Sequence, residues 1–342
     1  MKRKLVIFTL VLALIAGTLL GCTKTDTTGG GTSDKLVVYS PNSEDIINLI
    51  IPMFEKETGI SVELISAGTG ELLKRIESEK ANPYADVMFG GSHSQFAQYP
   101  ELFEEYVSPN DKYLVENARN TSGYMTSYIA DGSCLLVNTD IVGDIKIEGY
   151  ADLLNPALKG KIATADPASS SSAFAQLTNI LLAIGGDYTS DAGWDYVKAL
   201  VENLDGKVAS GSGAAHRSVS NGEYIVALTY EDPSAAYVRD GAPVKVVYPV
   251  EGAVFLNATS GIVKGAKNLE NAKKFIDFII SKDAQDAFGT QLTTRPLRED
   301  AKLGDHMTPF GDIYLLEEDV EYVNAHKPEI VEKYIEIFTS VQ

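Results

Sequence analysis

The stretch KLVVYSPNSEDIINLIIPMFEKETGISVELISAGTGELLKRIESEKANPYADVMFGG, residues 35–91, decides the fold. KLVVYS is an apolar run of strand length, EDIINLIIPMFEKETG spaces its apolar residues at helical intervals until Gly59, and SVELISA is a second strand. ELLKRIESEKANP then reads as a helix and ADVMFGG as a third strand. Strands that alternate with helices predict a parallel sheet with helices on its faces. In such sheets ligands sit beyond the carboxyl ends of the strands, in the loops that open the helices.

Those loops hold the small polar residues. Ser40-Pro41-Asn42-Ser43, Ala67-Gly68-Thr69-Gly70 and Gly90-Gly91-Ser92-His93 follow the three strands in turn. Taken singly, each is an ordinary cap or turn. Three in succession on one sheet edge make Ser40, Asn42, Thr69, Gly70 and Ser92 candidates for ligand binding.

A second series repeats the pattern. KIATADP leads into ADPASSSSAF, residues 165–174, where Ala173, Phe174, Leu177, Ile180, Leu181 and Ile184 begin a helix that Gly185-Gly186 ends. A cap needs one hydroxyl, and Ser169, Ser170, Ser171 and Ser172 offer four. Free N–H groups, the positive end of a helix dipole and spare hydroxyls suit an anion such as phosphate. AGWDYVKALVENL reads as a helix, KVASGSGAA as a strand and loop, and GEYIVALTYEDP as a strand running into a turn. Ser212, His216, Tyr230, Glu231 and Asp232 thereby join Ser170, Ser171 and Ser172 as candidate ligand residues. For Glu231 and Asp232 the plain alternative is an exposed turn before Pro233, and for His216 a partly buried helical histidine bonded to backbone. Extended stretches near Ser127 to Asn138 and Val246 to Gly261 would join the two lobes as a hinge.

The N-terminus carries Lys2, Arg3 and Lys4, an uncharged apolar run from Leu5 to Leu20, and Leu19-Leu20-Gly21-Cys22. The run is short for a spanning helix and fits a cleaved signal peptide, residues 1–21. The ending resembles a bacterial lipobox, which makes Cys22 the expected lipidated residue. Residues 22–34 read as a flexible Gly/Thr-rich tether. Loss of the three leader cations leaves 26 Lys+Arg against the 47 Asp+Glu, a mature net charge of −21. That balance argues against a nucleic-acid partner. Cys134 is the remaining thiol, so no intramolecular disulfide is expected.

These features together resemble a solute-binding protein of a bacterial ABC importer, in the ferric-iron-type group that also includes receptors for hexose phosphates and 2-aminoethylphosphonate. VVYSPNSE, AGTGELLKRIESEKANPYADVMFGG, DPASSSSAF, SGSGAAHRSVSNGEY, TYEDPSAAY and AKKFIDFIISKDAQDAF carry the resemblance, which covers almost the whole mature chain. It implies an α/β, two-lobed type II periplasmic-binding-protein fold with a ligand cleft between lobes. Residues 35–130 and 255–292 are expected in lobe I, and residues 131–254 and 293–342 in lobe II. It also implies a receptor that passes its solute to an ABC permease; with the lipobox and the serine clusters, the expectation is an extracytoplasmic, membrane-anchored monomer that captures a small anionic solute, with no cofactor and no resident metal.

In the iron-binding members two adjacent tyrosines and an early histidine hold the metal. None of the 17 tyrosines here adjoins another, and Ser40-Pro41-Asn42-Ser43 holds no histidine. Tyr230, Glu231 and Asp232 remain as oxygen donors for iron, the alternative reading. An organic phosphate or phosphonate fits the serines better, with Glu231 and Asp232 accepting from sugar hydroxyls or holding an ammonium. Catalysis is not expected: Ser212, His216 and Asp232 form a triad only on paper, without a Gly-x-Ser-x-Gly elbow or a His-Glu-x-x-His motif.

Overall fold

The computed structural model describes residues 34–209 and 211–341. The expected signal segment, Cys22 and most of the expected tether lie outside those residues, as does Ser210.

The first series folds as β1 (Lys35–Ser40), α1 (Glu44–Thr58), β2 (Ser61–Ser66), α2 (Thr69–Glu79), β3 (Val87–Ser92) and the short α3 (His93–Ala97). β4 (Thr126–Asn138) follows after an irregular segment with three single turns of 3-10 helix. The second series is β5 (Ile162–Ala163), α4 (Ser171–Gly185), α5 (Asp191–Leu204), α6 (Ser212–Ser220), β6 (Val226–Tyr230), α7 (Glu231–Arg239) and β7 (Val244–Val247). The remainder is β8 (Ala253–Ile262), α8 (Leu269–Ile279), α9 (Lys282–Gln291), β9 (Arg295–Pro296), β10 (Leu315–Leu316), α10 (Val320–Ala325) and α11 (Lys327–Val341).

Among the described residues the strands form one sheet in the order β2-β1-β3-β8-β4-β6-β5, with β10 on β8 and with β7 and β9 on β4. β1 runs parallel to β2 and β3, and β5 parallel to β6. β8 lies antiparallel between β3 and β4 and joins the two parallel blocks. The expectation of a parallel sheet therefore holds for β1 to β3 and for β5 with β6, and gives way where β8 pairs with β3 and where β4 runs antiparallel to β6, β7 and β8.

Both faces of each block are covered. Leu36 and Val38 enter a core with Ile50, Phe54, Phe89, Phe275 and Phe288, whereas Val37 and Tyr39 turn to Leu72, Ile76 and Phe96 on the other face. Alternation along one strand sends successive side chains to opposite faces, so a strand buried on both reads as a continuous apolar run. Phe54 meets Phe275 edge-on at 5.0 Å, an arrangement that ring quadrupoles favour. In the second block Leu135 and Val137 pack with Phe174, Leu181, Trp194 and Leu200, and Leu136 packs with Ala215 and Val219. Leu297 belongs to the first of these cores and Phe310 packs against it, whereas Val323, Ile330 and Tyr334 join the second block.

β4 is the strand common to both blocks. Its residues 126–132 pair with β8, and residues 133–138 pair with β6 on one edge and β7 on the other. The extended stretch expected from Val246 to Gly261 is divided instead into β7 and β8. Gly252, at φ 118°, turns the chain between them, and a Cβ there would lie 2.5 Å from Leu316 Cγ. Two further expectations shift: KVASGSGAA contributes only a bridge at Ala209 before α6, and the turn after β6 is the first turn of α7.

Candidate functional site

The serine run divides its duties. Ser170 is the N-cap of α4, in the extended region, and its Oγ accepts the Ala173 N–H at 3.4 Å. Ser169 turns back, its hydroxyl donating to the Asp166 carbonyl at 3.4 Å. That leaves Ser171 and Ser172 at the first two helical positions, Ser172 with its Oγ 3.2 Å from that of Ser170. The first N–H groups of a helix have no intrahelical acceptor, so this end presents donors and a positive dipole. Burial of Ala173, Phe174, Leu177 and Ile180 holds it in place, and Gln176 Nε2 donates to the Cys134 carbonyl at 2.9 Å.

The donors open into a cavity of ≈ 400 Å³ lined by Ser170, Ser171, Ser172 and Ala175 of α4, Ser212 of α6, Tyr230 of β6, Asp131 to Ser133 of β4, and Val254 and Leu256 of β8. Ser212 is the first residue of α6, so two helix N-termini meet there. Five of the expected residues, Ser170, Ser171, Ser172, Ser212 and Tyr230, are thus brought together. An adjoining cavity of ≈ 610 Å³ shares Ser171, Ala175 and Leu256 and reaches Ser92, His93, Asn117, Glu318 and Lys327. Ser92 lies there as the N-cap of α3, in a reciprocal capping box with Gln95. α10 touches α3 across this second cavity.

His216 stands one layer behind. It is buried, its Nδ1 lies 3.3 Å from Thr229 Oγ1, and its ring meets Tyr230 edge-on at 6.1 Å. Burial, with a smaller contribution from Arg217, lowers its pKa and favours the neutral imidazole. Its partner is a threonine hydroxyl, so the backbone-bonded alternative gives way to a link that supports the Tyr230 wall.

The remaining candidates are not among the residues lining either cavity. Ser40 is 0 % exposed and donates to the Phe89 carbonyl at 2.7 Å, which stitches β1 to β3. Asn42 donates to the same carbonyl at 2.9 Å and accepts the Tyr128 hydroxyl at 2.6 Å. Thr69 opens α2 with its methyl group toward Gly91, and Gly70 follows it on the surface. Glu231, expected at the solute or in an exposed turn, is 1 % exposed. Arg295 Nε donates to its Oε2 at 2.7 Å, and Arg295 Nη2 and the Tyr248 hydroxyl both reach its Oε1. The physical reason is burial: a carboxylate removed from water requires a cation, and the guanidinium supplies it. Asp232 accepts the Thr293 hydroxyl at 2.8 Å. The paper triad is not assembled, because Asp232 bonds Thr293 and His216 bonds Thr229.

Sequence reasoning missed Asp131. It is half-buried on β4, and the Asp232 backbone N–H donates to its Oδ1 at 3.2 Å. Burial, together with the nearby Asp232 and Glu231, raises its pKa well above the ordinary carboxyl value. The available signal was a lone acid within the strand SYIADGSCLLV. Burial likewise raises the Tyr230 phenol.

A protein-family model described as bacterial extracellular solute-binding protein matches residues 36–291. Iron uptake protein A1 of Synechocystis is 28% identical over 298 residues, covering 82% of this chain and 81% of that protein. A putative 2-aminoethylphosphonate-binding periplasmic protein of Salmonella typhimurium is 26% identical over 258 residues, 74% of each chain. Among solved structures, the periplasmic binding protein AfuA of Actinobacillus pleuropneumoniae with exogenous fructose-6-phosphate bound superposes with a TM-score of 0.69 at 27% identity, covering 89% of this chain and 98% of that one.

Proposed function

The chain belongs to the family of bacterial extracellular solute-binding proteins, and from that membership we propose that its cleft captures a small organic phosphate or phosphonate for import. It is a solute-binding component of an ABC importer with the two-lobed periplasmic-binding fold. The observation that carries the ligand class is the convergence of the α4 and α6 N-termini, with Ser170, Ser171, Ser172 and Ser212, on one cavity. Donors fixed in advance can hold an anion in a cleft from which closure expels water. The fructose-6-phosphate in AfuA and the phosphonate named for the Salmonella relative support the same class.

Lobe I comprises residues 35–130 and 255–292, and lobe II residues 131–254 together with α10 and α11; the segment around Leu297 packs with the first. α3 and α10 face one another across the second cavity, so a solute there touches both lobes. A ligand shifts a closing equilibrium only by its differential affinity for the two states, and a solute gripped from both sides supplies that difference. The proposal includes lipid anchoring at Cys22, an extracytoplasmic monomer and delivery to a membrane permease. Ferric iron is the weaker reading, because two of the three oxygen donors assigned to it, Glu231 and Asp232, are bonded to Arg295, Tyr248 and Thr293.

The test is thermal unfolding of the metal-stripped protein with hexose phosphates, 2-aminoethylphosphonate, inorganic phosphate, ferric citrate or spermidine. At a hundredfold excess over its dissociation constant the true ligand adds about 2.7 kcal/mol of stability. A shift with a phosphate or phosphonate compound is expected; a shift with ferric citrate alone would reverse the assignment.

A further inference from the structure

The rest of the lining of the cavity narrows the ligand further, and this inference rests on the anion reading above. Among the described residues, the lining of the ≈ 400 Å³ cavity includes one carboxylate, Asp131, and no lysine, arginine or histidine. Two nearby acids are otherwise engaged, Glu231 by Arg295 and Tyr248, and Asp232 by Thr293. Asp131 is held at the cavity wall by the N–H of Asp232, at the start of α7. Val254, Leu256 and Ala175 add an apolar surface to the same lining.

A phosphonate on Ser171 and Ser172 would share this small space with Asp131, whose ionised form burial, Asp232 and Glu231 already disfavour, and a second negative charge would repel that form further. A cation placed between them replaces that repulsion with two attractions. We propose that Asp131 is the specificity-determining residue of the cleft and that the solute is a zwitterion whose amine binds Asp131 while its phosphonate or phosphate sits on α4. The apolar surface then receives the short carbon spacer. A hexose phosphate supplies hydroxyls to Asp131 and no positive charge, so it leaves the repulsion in place.

The experiment is calorimetric titration of the intact protein with 2-aminoethylphosphonate, with ethylphosphonate, which lacks only the amine, and with putrescine, which lacks the anion. Wild type is expected to bind 2-aminoethylphosphonate at least about tenfold tighter than ethylphosphonate, in line with a charge-assisted hydrogen bond. Asp131→Asn should bring the two phosphonates to similar affinity. Equal affinities in the wild type would overturn the proposal without any variant, so misfolding of a mutant cannot shield it. An amine preference that survives in Asp131→Asn would move the amine to Glu317 or Glu318 of the adjoining cavity and also overturn it. Binding of putrescine alone, lost in Asp131→Asn, would uphold Asp131 while refuting the anion site. Tight binding of ethylphosphonate by both proteins would retain the anion site and refute Asp131.

Discussion

The N-termini of α4 and α7 look alike in sequence, each a polar cluster at the end of a second-block strand, and they have opposite uses in the structure. At α4 the side chains are hydroxyls, one caps the helix, and Ser171 and Ser172 open to the cavity. At α7 the first side chain is a carboxylate, and the fold buries it against Arg295. A hydroxyl tolerates partial hydration at a cleft wall. A buried carboxylate does not, and it draws a guanidinium from a distant segment.

The largest effect that would break this contrast is at α7. Glu231→Ala leaves the Arg295 guanidinium buried without its partner and is expected to cost about 3–5 kcal/mol in chemical denaturation. Pairing it with Arg295→Met should recover most of that loss, as buried ion pairs replaced by apolar residues often do. A small cost for Glu231→Ala would return Glu231 to the solute. At α4 the order of effects inverts. Ser171→Ala with Ser172→Ala should weaken phosphonate binding by about 1.5–3 kcal/mol per lost charge-assisted bond, and leave stability within about 0.5 kcal/mol. Titration and denaturation of the same protein separate the two. Ser170→Ala removes the cap and should cost about 1 kcal/mol of stability.

The smallest effect is a pH dependence at Asp131, which faces Asp232 and Glu231 of α7 and Tyr230 of β6. Its pKa is raised on folding, so its favourable contribution is complete below the ordinary value of 3.8 and is lost as pH rises through the folded pKa. Asp131→Asn should therefore gain melting temperature relative to wild type as pH rises. A difference that is flat with pH would place the carboxyl in water.

The fold was legible because its signals are local. Apolar spacing marks α1, α4 and α5, and runs such as KLVVYS mark strands covered on both faces. The division between β7 and β8 was not legible, since it depends on Leu316 filling the space beside Gly252. The site was legible where a residue's role follows from its own helix, as at Ser170 to Ser172 and Ser212. Glu231 was misplaced because its partner, Arg295, lies 64 residues away in the chain. Asp131 was missed because one acid in a strand acquires meaning only when α7 and α4 converge on it.

Cys134 gives this architecture a built-in clock. It lies fully buried within β4, the strand both blocks share, and burial raises its thiol well above the ordinary range. A thiolate is the reactive species, so alkylation must wait for the surrounding strands to separate. The labelling rate of this thiol thus counts how often the shared strand comes apart, without an introduced probe. A ligand that grips both sides of the cleft should slow that count.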